Sequence, residues 1–327
     1  MSGFGLVYRS ALRTRWRSWL VLAGLVAITG GACLAALAAG QRTGSAVPRL
    51  LASTGSPDAQ MISGPIAGSP TSVPYPTVAA LPGVLSDARG SAFYYAQLLV
   101  AGGEQSQTNG GAGVVSFPTG PGSLHPKLLA GRFPDPSKPD EVLADYALEN
   151  SFPHVRVGAR VVVTLLAADQ PAGVLTNEVP PVLGATVTMT VVGLDVDGPS
   201  LPAGSQDAGT VQVTPAFVHE YGAGSFSGAV DILRLRGGAA GLPRFEAALQ
   251  AVPGVAPGLA NVGVVGADAG YAVVEASIHP QVVGWWILAA LTGCAAAAVI
   301  VQALSRQAAL EADSYPALRS IGFSPRG

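Results

Sequence analysis

Side chains able to do chemistry are few in this chain and widely separated. The histidines at 125, 154, 219 and 279 lie far apart, and neither lysine, Lys127 or Lys138, follows a glycine. The sequence holds no H-E-x-x-H helix for zinc, no G-x-x-x-x-G-K-[ST] phosphate loop and no G-x-S-x-G nucleophile elbow. Gly111-Ala112-Gly113 lacks the third glycine of a dinucleotide fingerprint. Two acid pairs, Asp140-Glu141 and Asp195/Asp197, carry the oxygen ligands a hard cation takes. They read instead as turn and solvated-surface residues. No catalytic, cofactor-binding or metal-ligating residue is expected, and an enzyme is not expected. The two cysteines, Cys33 and Cys294, fall in long apolar runs, so the segment between those runs is not a disulfide scaffold.

The elements that dominate the chain are those two runs. Charged residues make up 12% of the sequence, against about a quarter in a typical soluble domain, so part of the chain is expected to face a solvent other than water. Trp19 to Ala39 carries no charge and, as a helix, would span roughly 30 Å, the thickness of a bilayer's hydrocarbon core. Val282 to Leu304 is a second such run. The first is longer than the apolar core of a cleaved signal peptide. Trp19, Trp285 and Trp286 stand near the run ends, where an amphipathic ring favours the membrane interface, and Arg306 follows the second run.

Charge sets the expected orientation. Arg9, Arg13, Arg15 and Arg17 precede the first run, and Arg306, Arg319 and Arg326 follow the second against Glu311 and Asp313, a net +5. Residues 42–281 hold 11 basic and 18 acidic side chains, a net −7. Basic flanks stay in the cytoplasm and long loops translocate whatever their charge, so both termini are expected inside and the middle outside. Arg9, Arg13 and Arg17 recur every four residues, and Leu12, Trp16 and Trp19 occupy another face. The spacing predicts an amphipathic helix on the inner leaflet ahead of the first span. Gly31, Ala35 and Ala39, and Ala289, Gly293 and Ala297, form small-residue stripes of the kind that lets helices pack closely in lipid. The expected division is 1–18 a cytoplasmic amphipathic segment, 19–39 the first span, 40–281 an extracellular domain, 282–304 the second span and 305–327 a cytoplasmic segment.

The middle segment reads as α+β with a mixed sheet. Ala92 to Val100, Val161 to Leu166, Thr186 to Leu194 and Asp231 to Leu235 have strand character. Ala144 to Asn150, Pro215 to Tyr221 and Leu242 to Val252 read as helices, with Pro243 in a first turn, and Ala267 to Ser277 as a helix entering the second span. Gly/Pro/Ser clusters at 63–76, 102–113, 118–122 and 198–209 mark loops.

One set of motifs is more specific. Leu128-Leu-Ala-Gly-Arg-Phe-Pro134 is followed by Pro139-Asp-Glu-Val-Leu-Ala144, then by Val155-Arg-Val-Gly-Ala-Arg-Val161 and Val191-Val-Gly-Leu194. In this pattern Gly131 and Pro134 turn the chain, Glu141 to Leu143 form a strand, and Gly158 turns into the next. The series resembles the "L-x-x-G-R-x-P … D-E-V-x-L … G-x-x-V … V-V-G" signature of the extracellular domain of FtsX-like, MacB-type ABC transporter permeases. Arg13-Thr-Arg-Trp-Arg-Ser-Trp19, Arg42-Thr-x-Ser45, Leu304-Ser-Arg-Gln307 and Leu318-Arg-Ser-Ile-Gly322 are similar to the family's flanking segments. The Ala/Gly bias of a GC-rich genome gives the sequence an actinobacterial look.

The resemblance implies a permease subunit, or the N-terminal portion of one, since the family's permeases carry at least four spans. It implies a MacB-like fold between the spans, a cytoplasmic ABC ATPase as partner, and ATP bound on that partner rather than here. The remaining permease half or a homologous subunit, and membrane lipid, complete the expected partners; nucleic acid is not among them. Pro316 opens a short helix whose Tyr315, Leu318, Arg319, Ile321 and Gly322 are the expected ATPase contact. A different class of function stays open: a membrane-anchored extracellular binding or scaffold protein without transport activity.

Overall fold

The computed structural model describes residues 4–63, 73, 75–100, 103–105, 112–153, 155–171, 174, 179–197, 209–255 and 262–312. The chain divides into two compact units, Met1–Ala46 with Ala276–Gly327, and Val47–Glu275.

The first unit is helical. Helix α1 runs Phe4–Gly44 without a break, so the arginine-rich segment is continuous with the first apolar run rather than a separate amphipathic helix. This unit also holds most of α7, Ala267–Ala312, which contains Pro280. The stretches Ala23–Gly44 and Val274–Arg306 are long and apolar enough to cross a membrane. Only 11% and 6% of their most apolar windows are buried, whereas a core helix of a water-soluble protein would be mostly covered. Ile28, Leu34, Ile287, Leu291 and Val301 are all exposed.

The second unit is α+β. It is built on a twelve-stranded mixed sheet whose strands are β1 (Ala59–Ser63), β2 (Val84–Phe93), β3 (Tyr95–Val100), β4 (Gly103–Gln105), β5 (Gly113–Ser116), β6 (Lys127–Gly131), β7 (Glu141–Asp145), β8 (Arg160–Leu166), β9 (Leu183–Val196), β10 (Thr210–Val213), β11 (Ser227–Leu235) and β12 (Val262–Gly266). Their order is β12-β1-β11-β2-β5-β10-β7-β9-β8-β3-β4, with β6 paired to β9. β10–β5 and β7–β9 are parallel and the other pairs antiparallel. Short helices α2 (Ala46–Thr54), α3 (Tyr75–Ala79), α4 (Leu148–Ser151), α5 (Pro215–Tyr221) and α6 (Leu242–Gln250) complete it.

Local chemistry explains the elements that matched expectation. β8 is Arg-Val-Val-Val-Thr-Leu-Leu, and β9 buries Val187, Met189 and Val191 while its threonines 186, 188 and 190 stay exposed. α5 begins at Pro215 because Thr214 caps it: the Thr214 hydroxyl accepts from Phe217 N–H at 3.2 Å. α6 buries Phe245 and Leu249, one turn apart. Two apolar cores result among the described residues. Phe93, Leu98, Val161, Met189, Val213 and Phe217 belong to one; Met61, Val78, Leu233, Phe245 and Leu249 to the other.

Three expectations for this unit are corrected. Ala92 to Val100 is the end of β2 and all of β3, with Tyr94 between them. Ala144 to Asn150 is not one helix: β7 continues through Asp145, and α4 holds only Leu148–Ser151. β7 lies between β10 and β9 with every residue buried, so ladder pairing overrides the helix preference of Ala144. The loop expected at 102–113 includes β4.

Candidate functional site

The separate pieces of the signature meet on residues 190–193 of β9. Arg132 N–H donates to Val192 O at 3.0 Å, and Gly158 N–H to Val191 O at 2.7 Å. Val191 N–H donates to Ala159 O at 2.9 Å, and Thr190 N–H to Asp140 O at 2.8 Å. Gly131 is in register with Gly193. Both signature turns have positive φ, 76° at Gly131 and 89° at Gly158, a region that favours glycine. At Gly131 a Cβ would also run into Val192 O and lie 2.9 Å from Gly193 Cα, whereas nothing lies within 4 Å of one at Gly158.

Glu141 fastens the turn between β6 and β7. Its carboxylate accepts from Arg132 Nη1 and Nη2, both at 2.7 Å, from Lys138 Nζ at 2.9 Å and from Asp135 N–H at 3.0 Å. Bonding to Arg132, followed by the Asp135 amide and Lys138, holds this carboxyl well below the usual carboxylate range. The Arg132 and Lys138 side chains are 56% and 52% exposed, so the clasp is anchored on the buried acid and open on the basic side. Leu129, Phe133 and Val157 present exposed apolar side chains from the same segments.

Of the two acid pairs only Asp140 is an exposed turn residue; burial of the other three corrects the sequence expectation. Glu141 is a buried ion-pair partner, and Asp195 and Asp197 are both buried. Asp195 is in parallel register with Asp145 of β7 and accepts from Gln212 Nε2 of β10 at 3.2 Å. Burial, then Asp197 and Asp145, push the Asp195 carboxyl up to about 8. Another buried acid, Asp231, is answered by Arg89 at 2.5 and 2.7 Å. Among the described residues no group of three His, Cys, Asp or Glu is arranged to hold a metal ion. The sequence signal for these buried acids was present, in that Asp195 and Asp197 continue the alternation of a β-branched strand. Neither Asp145 nor Gln212 carried any signal, because their roles arise from pairing across strands.

In the helical unit, Cys33 Sγ donates to Ala289 O at 3.4 Å. A Cβ at Gly293 would lie 3.6 Å from Cys33 Sγ, and one at Gly40 would lie 3.4 Å from Trp285 Cβ. Ala36 and Ala289 are buried. The face of α1 toward α7 is therefore Cys33, Ala36 and Gly40. Gly31 has nothing within 4 Å of a Cβ and Ala35 is exposed, which corrects the stripe on α1; on α7, Ala289 and Gly293 of the expected stripe do face α1 and only Ala297 is exposed. Trp16, Trp285, Trp286 and Arg306 lie on the helices and are exposed. Arg9, Arg13, Arg17 and Trp19 lie on α1, whose side chains there are outside the described residues. The expected coupling residues Tyr315, Leu318, Arg319, Ile321 and Gly322 also lie outside the described residues.

No family model and no curated protein matches the sequence. Solved structures do match it. The periplasmic region of MacB from Actinobacillus actinomycetemcomitans is 11% identical over 70% of this chain and 97% of that one, with a TM-score of 0.34. The extracellular domain of the noncanonic ABC-type transporter YknZ from Gram-positive bacteria is 10% identical over 57% and 87%, with a TM-score of 0.29. A domain of a putative permease protein from Porphyromonas gingivalis is 12% identical over 63% and 86%, also at 0.29.

Proposed function

We propose that the chain is a membrane permease subunit, or a portion of one, of an ABC-type transporter. In this reading it relays movement driven by a cytoplasmic ATPase to the sheet domain on the other side of the membrane. The carrying observation is the convergence of three separated motif segments on the fourth, at residues 190–193 of β9, in a sheet unit flanked in sequence by two long, uncovered apolar helices. Loose motifs scattered by chance have no reason to meet at one place. The +5 flanks and −7 middle support cytoplasmic termini in the plasma membrane with the sheet unit outside. No covalent chemistry is assigned to the chain. ATP is bound by the partner, and the remaining permease half or a homologous subunit completes the pathway. The GC-rich composition fits an actinobacterial source.

In this reading the segment after α7 touches the ATPase. Pro316 suits the first turn of a short helix, Leu318 and Ile321 supply its apolar side, Arg319 its rim, and Gly322 its stop. The test is co-purification of the chain, expressed with its ATPase and permease partners, against Leu318→Asp. The variant is expected to insert into the membrane normally and to lose the ATPase. Undiminished ATPase binding by this variant removes the coupling assignment.

A further inference from the structure

We propose that Asp195 is held as the neutral acid in the folded sheet unit, and that loss of its proton loosens the junction of β6, β7 and β9. The sheet would then carry a built-in response to the pH of the compartment it faces.

The geometry begins with burial. Asp195 is fully covered and stands where β9 pairs with both β6 and β7. Its Oδ2 accepts from Gln212 Nε2, and among the described residues its Oδ1 has no hydrogen-bond partner. From β7 the group in register with it is Asp145, whose Oδ1 accepts from Ala147 N–H at 3.0 Å. From the residue just after β9 comes Asp197, which is buried and also acts on the Tyr271 phenol of α7. From β10 the facing group is the neutral Gln212 amide. From β6 it is Leu128, beside Lys127, which pairs with Val196 and is exposed. The charged groups acting on Asp195 are thus both carboxylates.

The comparison with Asp231 shows what is different. That aspartate is equally buried, and the Arg89 guanidinium meets both of its oxygens. A buried carboxylate that meets no cation and stands beside two other carboxyl groups is far more costly than a neutral acid with one idle hydroxyl. As the neutral acid, Asp195 still accepts the Gln212 hydrogen bond through its carbonyl oxygen. The sign of the linkage follows. The folded state keeps the proton to higher pH than the unfolded chain, whose aspartate titrates near about 4. Stability is greatest below that value and falls as pH rises from about 4 to about 8.

The test is thermal unfolding of the full chain in detergent, from about pH 5 to about pH 9, for the native protein and Asp195→Asn. The native melting temperature is expected to fall by more than 5 °C across the range. Asparagine imitates the neutral acid, so the variant should lose most of that fall. An equal fall in both proteins overturns the proposal, as does a flat native profile. Should the variant fail to fold, infrared difference spectra of the native chain between about pH 6 and about pH 9 decide: a protonated-carboxyl band lost on going alkaline supports the proposal, and its absence overturns it. Stabilisation at about pH 9 by added calcium, dependent on Asp195, would mean that a cation neutralises the cluster and likewise overturns it.

Discussion

Gly131 and Gly158 both sit at turns of the signature and both have positive φ, yet their environments differ. A side chain at Gly158 meets only the cost of a left-handed backbone, about 1–2 kcal/mol, because the surrounding space is open. At Gly131 the same cost is joined by collision with Val192 O and by approach to the Gly193 backbone and to Val157 Cγ2. Backbone atoms in a paired ladder cannot move aside as a flexible side chain can. Gly131→Ala is therefore expected to destabilise the chain by more than about 3 kcal/mol and Gly158→Ala by less than about 2 kcal/mol. Melting temperatures of the two variants against the native protein check this. Equal losses would show that the contacts of Gly131 with β9 are not what that position requires. Glutamate 141 belongs to the same scale. One buried carboxylate gathers Arg132, Lys138 and the Asp135 amide, which accounts for an arginine and a glutamate nine positions apart in a single motif.

At the level of elements, the sequence was most informative where local chemistry acts alone. α5 was legible to its ends because proline and a threonine cap define its start, and β8 because three consecutive valines favour a strand. β5, β6 and β10 gave no usable signal: they are four or five residues long, too short for alternation to stand out from chance, and β6 is largely exposed. The helix expected from Ala144 failed for the opposite reason, since a strong tertiary pairing decided it. The apolar helices were legible as such, but their facing sides were not, because in a run rich in alanine and glycine several stripes look alike. The structure selects Cys33, Ala36 and Gly40 on α1 against Ala289 and Gly293 on α7. This choice is directly testable. With Cys294 replaced by alanine, Gly293→Cys should form a disulfide with Cys33 on mild oxidation, because its Cβ would lie 3.6 Å from Cys33 Sγ. Gly284→Cys, with nothing within 4 Å of its Cβ, should not. Mass spectrometry of the unreduced protein reads both. Absence of the Cys33 crosslink, or its appearance at Gly284, would mean that the helices present other faces to each other.

For the whole molecule the deciding question is which side of the membrane each unit occupies, since the transporter reading needs the sheet unit and the coupling segment on opposite sides. In the proposed reading two helices with few buried residues, Ala23–Gly44 and Val274–Arg306 at their most apolar, take the chain across and back, which puts the termini on one side. In that reading charge chooses the side. Arginines crowd before the first run and after the second, while the intervening segment is net acidic. Arginine near a span end resists translocation, and a domain of this length is exported largely regardless of its own charge. A surface position in the sheet unit should therefore be reachable from outside an intact cell, and the N-terminus should not. Gln250, exposed at the end of α6, is a suitable reporter, in a background where Cys33 and Cys294 are alanine. Gln250→Cys should react with a membrane-impermeant maleimide in intact cells, and Ser2→Cys only after the membrane is opened. Labelling of Ser2→Cys alone would invert the orientation and put the basic flanks outside, where no cytoplasmic ATPase could reach them. Labelling of both in intact cells would mean that the chain does not cross twice, and the two apolar helices would then need another explanation for their uncovered surfaces.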